Sequence, residues 1–231
     1  MSEYDLSLRS GGFDTFSCDE LARSDMSIRQ FNNVQDDPDF DKGLEHEIHR
    51  TGELRSLACQ NLYRAYQYIA AHTNPHQLLG MVRNAVSYFS TGALNQNCIT
   101  CSKAVERNLA AMVDGSINSF LVAGDTRQGS LSQEVSEHAL SCFSPFPDAP
   151  ISQQLLEQTQ VNARYIISVP CKNKEFNHAM NLVRSEFGMV VIDGQFGKVY
   201  DLNTRQGRQR FDERFGASGG LSVVQLYLRS R

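Results

Sequence analysis

The fold is decided by two short apolar segments, which read Asn177-His178-Ala179-Met180-Asn181-Leu182-Val183-Arg184 and, after three residues, Gly188-Met189-Val190-Val191-Ile192-Asp193. Their length, their β-branched residues and the glycine between them predict two β-strands, over 178–184 and 188–193. The short connection favours an antiparallel hairpin. In such a hairpin His178, near the start of the first strand, and Asp193, at the end of the second, would lie side by side.

Most of the helical patterns come before this hairpin. Apolar spacing predicts helices over 44–71, 76–89, 98–113, 131–142, 151–159 and 205–215. Further strands are predicted over 165–169, 198–202 and 221–228. Helices that precede a set of antiparallel strands indicate an α+β fold.

The charge of the chain is unevenly distributed. Residues 1–50 hold 12 acidic and 5 basic residues, which leaves 14 acidic and 17 basic residues in the remainder. Apolar periodicity is poor before residue 44, so we expect residues 1–43 to be a disordered acidic segment and residues 44–231 to form the folded domain. The first residues lack the basic and apolar blocks of a Sec-type signal, and no apolar run approaches the length of a membrane span.

The net charge and the cysteine spacing argue against two classes of ligand, nucleic acids and zinc. A net charge of −4 argues against a nucleic-acid binder. Among six cysteines only Cys98 and Cys101 form a C-x-x-C pair, and neither a second pair nor suitably spaced histidines complete a zinc site. We therefore expect no metal, no cofactor and mostly reduced thiols, as in a cytosol.

Cys98 stands where a helix is predicted to begin. The first turn of a helix carries unpaired N–H groups and a partial positive charge, which favour a thiolate and can stabilise an oxyanion. A thiolate needs a base, and the base needs a third group to fix its tautomer. His178 and Asp193 can supply both, with Asn97 and Gln96 as polar neighbours of the nucleophile.

Each of these residues also has an ordinary interpretation. A free cysteine is usually a small buried apolar residue, a histidine on a strand is usually a hydrogen-bonded core residue, and an aspartate before Gly194 is typical of a turn. His138, in a predicted helix, is a rival base. Cys101 is expected to pack in the core, with a protective disulfide to Cys98 as the alternative. Cys98, His178 and Asp193 together are a more specific signal than any one of them.

Three strings resemble the motifs of the papain-fold glutamine deamidases, a family of bacterial toxins and effectors. They are Asn97-Cys98-Ile99-Thr100-Cys101, His178-Ala179-Met180-Asn181-Leu182-Val183 and Val191-Ile192-Asp193-Gly194-Gln195-Phe196-Gly197-Lys198. The 80 positions from Cys98 to His178 are similar to the spacing in the type III effector deamidases. The resemblance covers roughly residues 95–205.

The resemblance implies a papain-like fold in which Cys98 is the nucleophile, His178 is the base and acid, and Asp193 orients the imidazole. Gln195 would line the site or contact the oxyanion, unless it is only an exposed turn residue. The chain departs from papain at Gly92, six residues before the cysteine, where papain has a glutamine that donates to the oxyanion. The donor is therefore expected among the backbone N–H groups and the side chains of Asn95, Gln96 and Asn97.

The same resemblance implies a bacterial effector or toxin, secreted without a Sec signal, that acts in the cytosol of a host or recipient cell. Its reaction would convert a glutamine side chain of a target protein to glutamate. The residues themselves leave two alternatives open. A cysteine protease or a transglutaminase would use the same three residues, and a non-catalytic interaction module would use none of them.

Overall fold

A computed structural model of the chain describes residues 40–75, 97–124, 139–143, 149–172, 177–216 and 224–227. Within these ranges the chain forms five helices and eight strands. The strands make one two-stranded and one six-stranded sheet, and every strand pair is antiparallel. The α+β class predicted from the sequence is confirmed.

The helices are α1 (Thr51–Gln60), α2 (Leu62–Thr73), α3 (Cys98–Val113), α4 (Ile151–Gln158) and α5 (Arg205–Arg214). The strands are β1 (Leu44–Glu47), β2 (Phe120–Ala123), β3 (Ala139–Phe143), β4 (Ala163–Pro170), β5 (Asn177–Ser185), β6 (Gly188–Asp193), β7 (Lys198–Asp201) and β8 (Val224–Tyr227). β1 pairs with β2, and the larger sheet has the order β3-β8-β4-β5-β6-β7.

The predicted hairpin forms two neighbouring inner strands of the larger sheet, between β4 and β7. β5 and β6 pair in a register that sets Asn181 opposite Ile192 and Ser185 opposite Gly188. Every residue of β6 is buried, because helices cover both faces of the sheet. The apolar run before Asp193 is therefore explained by burial on two sides.

Side chains that alternate along β6 divide the core into two layers. Val190 and Ile192 pack with apolar residues of α1, α2 and α3. Met189 and Val191 face the other way, toward a cluster with residues of α4 and α5. The hairpin is thus packed between two layers of helices. This packing fixes the positions of its strand ends.

Two of the predicted helices are wrong in part. The helix predicted over 44–71 begins instead as strand β1, because Leu44–Glu47 pairs with Phe120–Ala123, and Asn61 then separates α1 from α2 with an extended backbone. In the helix predicted over 131–142, residues 139–143 form strand β3, which pairs with β8. The predictions over 76–89 and 131–138 lie outside the described residues.

The folded part begins earlier than the predicted boundary at residue 44. Phe40 is buried in a small cluster with Ile99, Ile166 and Ala179, and Asp41 forms an ion pair with Arg107. Residues 40–43 are therefore part of the packed domain, and the predicted disorder of residues 1–39 lies outside the described residues. Within the described ranges, the helices are too short or too polar to span a bilayer.

Candidate active site

The ends of three elements meet at one end of the β5–β6 hairpin. Because β5 and β6 are antiparallel, the start of β5, with His178, and the end of β6, with Asp193, lie at the same end of the hairpin. The helix α3 begins beside them, with Cys98 as its first residue. Three residues separated by up to 95 positions in the sequence are thereby brought into one site.

His178 and Asp193 form a buried ion pair. The Nε2 atom of His178 lies 3.0 Å from Oδ1 of Asp193, at an angle that departs from a straight hydrogen bond. The imidazole is 3% exposed and the carboxylate is 0% exposed. Little water can therefore compete for this contact, which strengthens it.

The electrostatic surroundings favour a protonated imidazole. Burial alone would lower the pKa of His178, but the charge of Asp193 and its contact with the ring oppose this and, with the hydrogen bond and charge of Cys98, raise the pKa from 6.5 to about 9. The histidine can therefore hold a proton at neutral pH, between the side chains of Asp193 and Cys98.

Cys98 is the accessible member of this group. It is half-buried, and it makes a side-chain hydrogen bond with His178. Since Nε2 faces Asp193, Nδ1 is the ring nitrogen left for the sulfur. The first backbone hydrogen bond of α3 runs from the N–H of Cys101 to the carbonyl of Asn97, so the N–H groups of Cys98 and Ile99 precede the helical ladder.

Two aromatic rings enclose the imidazole. Phe215 is stacked on His178 with an interplanar angle of 6° and a centroid distance of 5.9 Å. Phe196, in the turn after β6, lies 5.3 Å from the imidazole centroid at a tilted angle. The rings restrict rotation of the imidazole and keep it turned toward Asp193.

A chain of amide side chains fixes the start of α3. The Nε2 atom of Gln195 donates to Oδ1 of Asn97 at 3.0 Å, and Nδ2 of Asn97 donates to Oδ1 of Asn74 at 3.3 Å. Asn74 in turn donates to the backbone carbonyl of Gln195 at 3.0 Å. Asn97 makes no side-chain cap on its own helix, so its amide does not occupy the N–H groups beside Cys98.

Gly194 allows the turn after Asp193 to approach α3 closely. A Cβ atom at this position would lie 2.7 Å from Cγ2 of Val105 and 3.4 Å from the carbonyl oxygen of Cys101. A larger residue would push the turn away from the helix that begins at Cys98. Glycine therefore helps to set the separation between Asp193 and Cys98.

Cys101 is fully buried and lies one helical turn beyond Cys98. Both thiols are free. Burial, and then the negative charges of Cys98 and Asp193, raise the pKa of the Cys101 thiol well above its ordinary value. Cys101 therefore remains a protonated core residue while Cys98 is the thiol that faces the histidine.

The structure brings Cys98, His178 and Asp193 together and joins Asn97 to Gln195. Gln96 and His138 lie outside the described residues. Gln195, for which an exposed turn position was the alternative, is 4% exposed. The role of Asn74 was not predicted from the sequence, because its neighbour Pro75 indicated only the end of a helix.

The chain was compared with known proteins in three ways. No protein-family model, no curated protein and no solved structure matches it. Its function is therefore inferred from the site and from the sequence motifs.

Proposed function

We propose that this protein is a papain-like cysteine hydrolase that converts a glutamine side chain of a target protein to glutamate. The single observation that carries the proposal is the meeting of Cys98, at the start of α3, with the buried pair of His178 and Asp193. A helix that presents a thiol to a histidine on an antiparallel sheet is also the arrangement expected of a papain-like fold.

The first half of the reaction forms a thioester. The sulfur of Cys98 attacks the carboxamide carbon, and the developing oxyanion accepts hydrogen bonds from the N–H groups at the start of α3. The imidazolium of His178 gives its proton to the amide nitrogen. The carbon–nitrogen bond then breaks, and ammonia leaves an acyl group on the sulfur.

The second half restores the enzyme. The neutral imidazole removes a proton from water, whose oxygen attacks the thioester carbon. The carbon–sulfur bond breaks and leaves the thiolate beside an imidazole that keeps the proton taken from water. The new carboxylic acid releases its own proton to solvent, so the product is a glutamate side chain. Asp193 takes no proton in either half. It keeps the ring oriented and stabilises its charged form.

The proposed setting follows from the resemblance to effector deamidases. The protein would be a secreted bacterial virulence factor without a Sec signal, and its partner would be a target protein in the cytosol of a host or recipient cell. A reducing cytosol would keep Cys98 as a thiol. The reaction as written needs no cofactor, since water and the side chains supply every atom and proton.

The experiment that tests this function compares cell extracts treated with the wild type and with Cys98→Ala. Peptide mass spectrometry should find glutamine-to-glutamate conversions that occur only with the wild type. Cys59→Ala is a matched control, because Cys59 is an exposed thiol on α1. New chain ends would instead indicate a protease, and isopeptide-linked products would indicate a transglutaminase.

A further inference from the structure

Arg214 brings a positive charge to the aromatic enclosure of His178. It is the last residue of α5 and is half-buried. Its guanidinium carbon lies 4.4 Å from the ring centroid of Phe196 and 5.4 Å from that of Phe215. These are the same two rings that flank the catalytic imidazole.

The shared contact with Phe196 sets an upper limit on the distance between the Arg214 guanidinium and the His178 imidazole. Phe196 is 5.3 Å from His178 and 4.4 Å from the guanidinium, so the two groups are separated by less than about 10 Å, the span of two to three residues of extended chain. A side chain two or three residues from a glutamine held beside the imidazole is therefore long enough to reach Arg214.

The guanidinium of Arg214 has no ion-pair partner among the residues that the structure describes. Among the described residues, no carboxylate lies within ion-pair distance of its guanidinium, and its polar side-chain contact is a hydrogen bond from Nη1 to the Tyr200 hydroxyl at 3.2 Å. Lys172 is a neighbour along the backbone, because its backbone N–H donates to the backbone carbonyl of Arg214 at 3.2 Å.

The helix end and the two aromatic rings explain where Arg214 lies, but neither supplies a negative charge to pair with its guanidinium. A cation is favourable at the C-terminus of a helix and over the face of an aromatic ring. Both effects hold the guanidinium in place without a counter-ion. The result is an oriented, partly exposed cation beside the reacting groups.

We propose that Arg214 is a specificity-determining residue that binds an acidic side chain within two or three positions of the substrate glutamine. The planar guanidinium can pair with a carboxylate through two parallel hydrogen bonds, which favours Asp or Glu over neutral residues. This subsite rests on the proposed function, since it assigns a preference to the same active site.

The test measures alkylation of Cys98, so it does not depend on turnover. Two probes, iodoacetyl-Gly-Glu amide and iodoacetyl-Gly-Gln amide, differ only in a carboxylate two residues from the reactive carbon. We expect the wild type to react about two- to fivefold faster with the Glu probe, as for a partly exposed ion pair. The preference should disappear in Arg214→Gln and reverse toward a Lys probe in Arg214→Glu.

Arg205→Gln is the matched control. Arg205 is an exposed arginine at the opposite end of α5, so its loss changes the net charge equally but should leave the probe preference intact. Should Arg214→Gln fail to fold, salt dependence in the wild type decides instead. The preference should fall as ionic strength rises from about 0.01 to 1 M, since the Debye length shortens from about 30 to 3 Å.

Two results would overturn the subsite. One is equal preference for the Glu probe in wild type and Arg214→Gln, and the other is a wild-type preference that is absent or unaffected by salt. Failure of the proposed function has a different signature. In that case the extracts show no Cys98-dependent glutamate, whereas the probe preference can still be present.

Discussion

The imidazole of His178 lies 3.0 Å from the carboxylate of Asp193, and both side chains are withdrawn from solvent. A buried carboxylate beside a histidine stabilises the charged ring, which is why the pKa of His178 is raised to about 9. In the proposed mechanism, this pair provides Cys98 with a neighbouring proton donor at neutral pH.

The pair predicts the alkaline limit of activity and its response to Asp193→Asn. In the proposed reaction ammonia leaves only while His178 carries a proton, so turnover should fall as pH rises through about 9. Asp193→Asn removes the charge that raises this pKa, and burial then lowers it. We expect the alkaline limb to move to lower pH and turnover to drop on the order of a hundredfold. The equivalent change in a serine protease costs about 10⁴, but a thiolate needs less help from its base than a serine hydroxyl does.

Asp201→Asn is the control for this shift. Asp201 also ends a strand, β7, but its carboxylate accepts hydrogen bonds from Asn203 and not from the histidine. Its substitution should leave the alkaline limb in place. A well-folded Asp193→Asn protein with an unchanged pH profile would remove Asp193 from the mechanism.

Thiol reactivity should separate three of the cysteines. With limiting iodoacetamide at neutral pH, Cys98 should be alkylated first, because the proposed function makes it the nucleophile beside His178. Cys59 is exposed but has no such partner, and Cys101 is buried with a raised pKa, so they should follow in that order. Peptide mapping measures each rate.

The same peptide mapping in His178→Ala shows whether the imidazole causes the faster alkylation of Cys98. Cys98 should then react no faster than Cys59, since only exposure would distinguish the two thiols. If Cys98 kept its lead without the imidazole, the helix start alone would activate it and the pairing with His178 would be wrong.

Asn74→Ala tests the amide chain that fixes the start of α3. Asn74 is 7% exposed and links Asn97 to the turn that contains Gln195. Its loss should leave buried polar groups without partners and lower the free energy of unfolding by about 1–3 kcal/mol. Urea denaturation measures this, with the exposed Gln60→Ala as a control. Equal stability of the two variants would mean that the amide chain is not structural.

Two truncations test where the folded domain begins. Removal of residues 1–39 should preserve the fold and the reactivity of Cys98. Removal of residues 1–43 also deletes Phe40, which is 4% exposed in a cluster against which Cys98 packs, and the ion pair of Asp41 with Arg107. This second truncation should slow alkylation of Cys98 and lower the thermal midpoint.

Phe40→Ala in the full chain tests whether the effect of the longer truncation comes from the loss of this one buried ring. Loss of a buried aromatic ring costs about 3–5 kcal/mol when the cavity cannot collapse, so the substitution should reproduce most of the effect of the longer truncation. A Phe40→Ala protein as stable and as reactive as the wild type would mean that Phe40 is not part of the packed domain.

Local patterns in the sequence predicted the central part of the fold well. The β5–β6 hairpin and the start of α3 at Cys98 depend on apolar runs, a glycine and short connections, which all lie within neighbouring residues. Those elements carry the three proposed reacting and orienting groups. The proximity of Cys98, His178 and Asp193 therefore follows from local sequence patterns.

The errors arise where a distant partner decides the structure. Leu44–Glu47 has a helical pattern around it but pairs with β2, about 75 positions later, and residues 139–143 pair with β8 near the end of the chain. The contacts of Asn74 and Arg214 depend on the same kind of long-range packing. No local signal distinguishes them from a helix-ending amide and a surface arginine.

The most direct test of the central claim follows the oxygen atom in the product. Extracts are treated in ¹⁸O-labelled water with wild type, Cys98→Ala or His178→Ala, and glutamine-containing peptides are analysed by mass spectrometry. Hydrolysis of a thioester predicts new glutamate residues that carry ¹⁸O, formed by the wild type and by neither variant. Labelled glutamate formed equally by Cys98→Ala, or only new chain ends and cross-links with the wild type, would contradict the proposed deamidase.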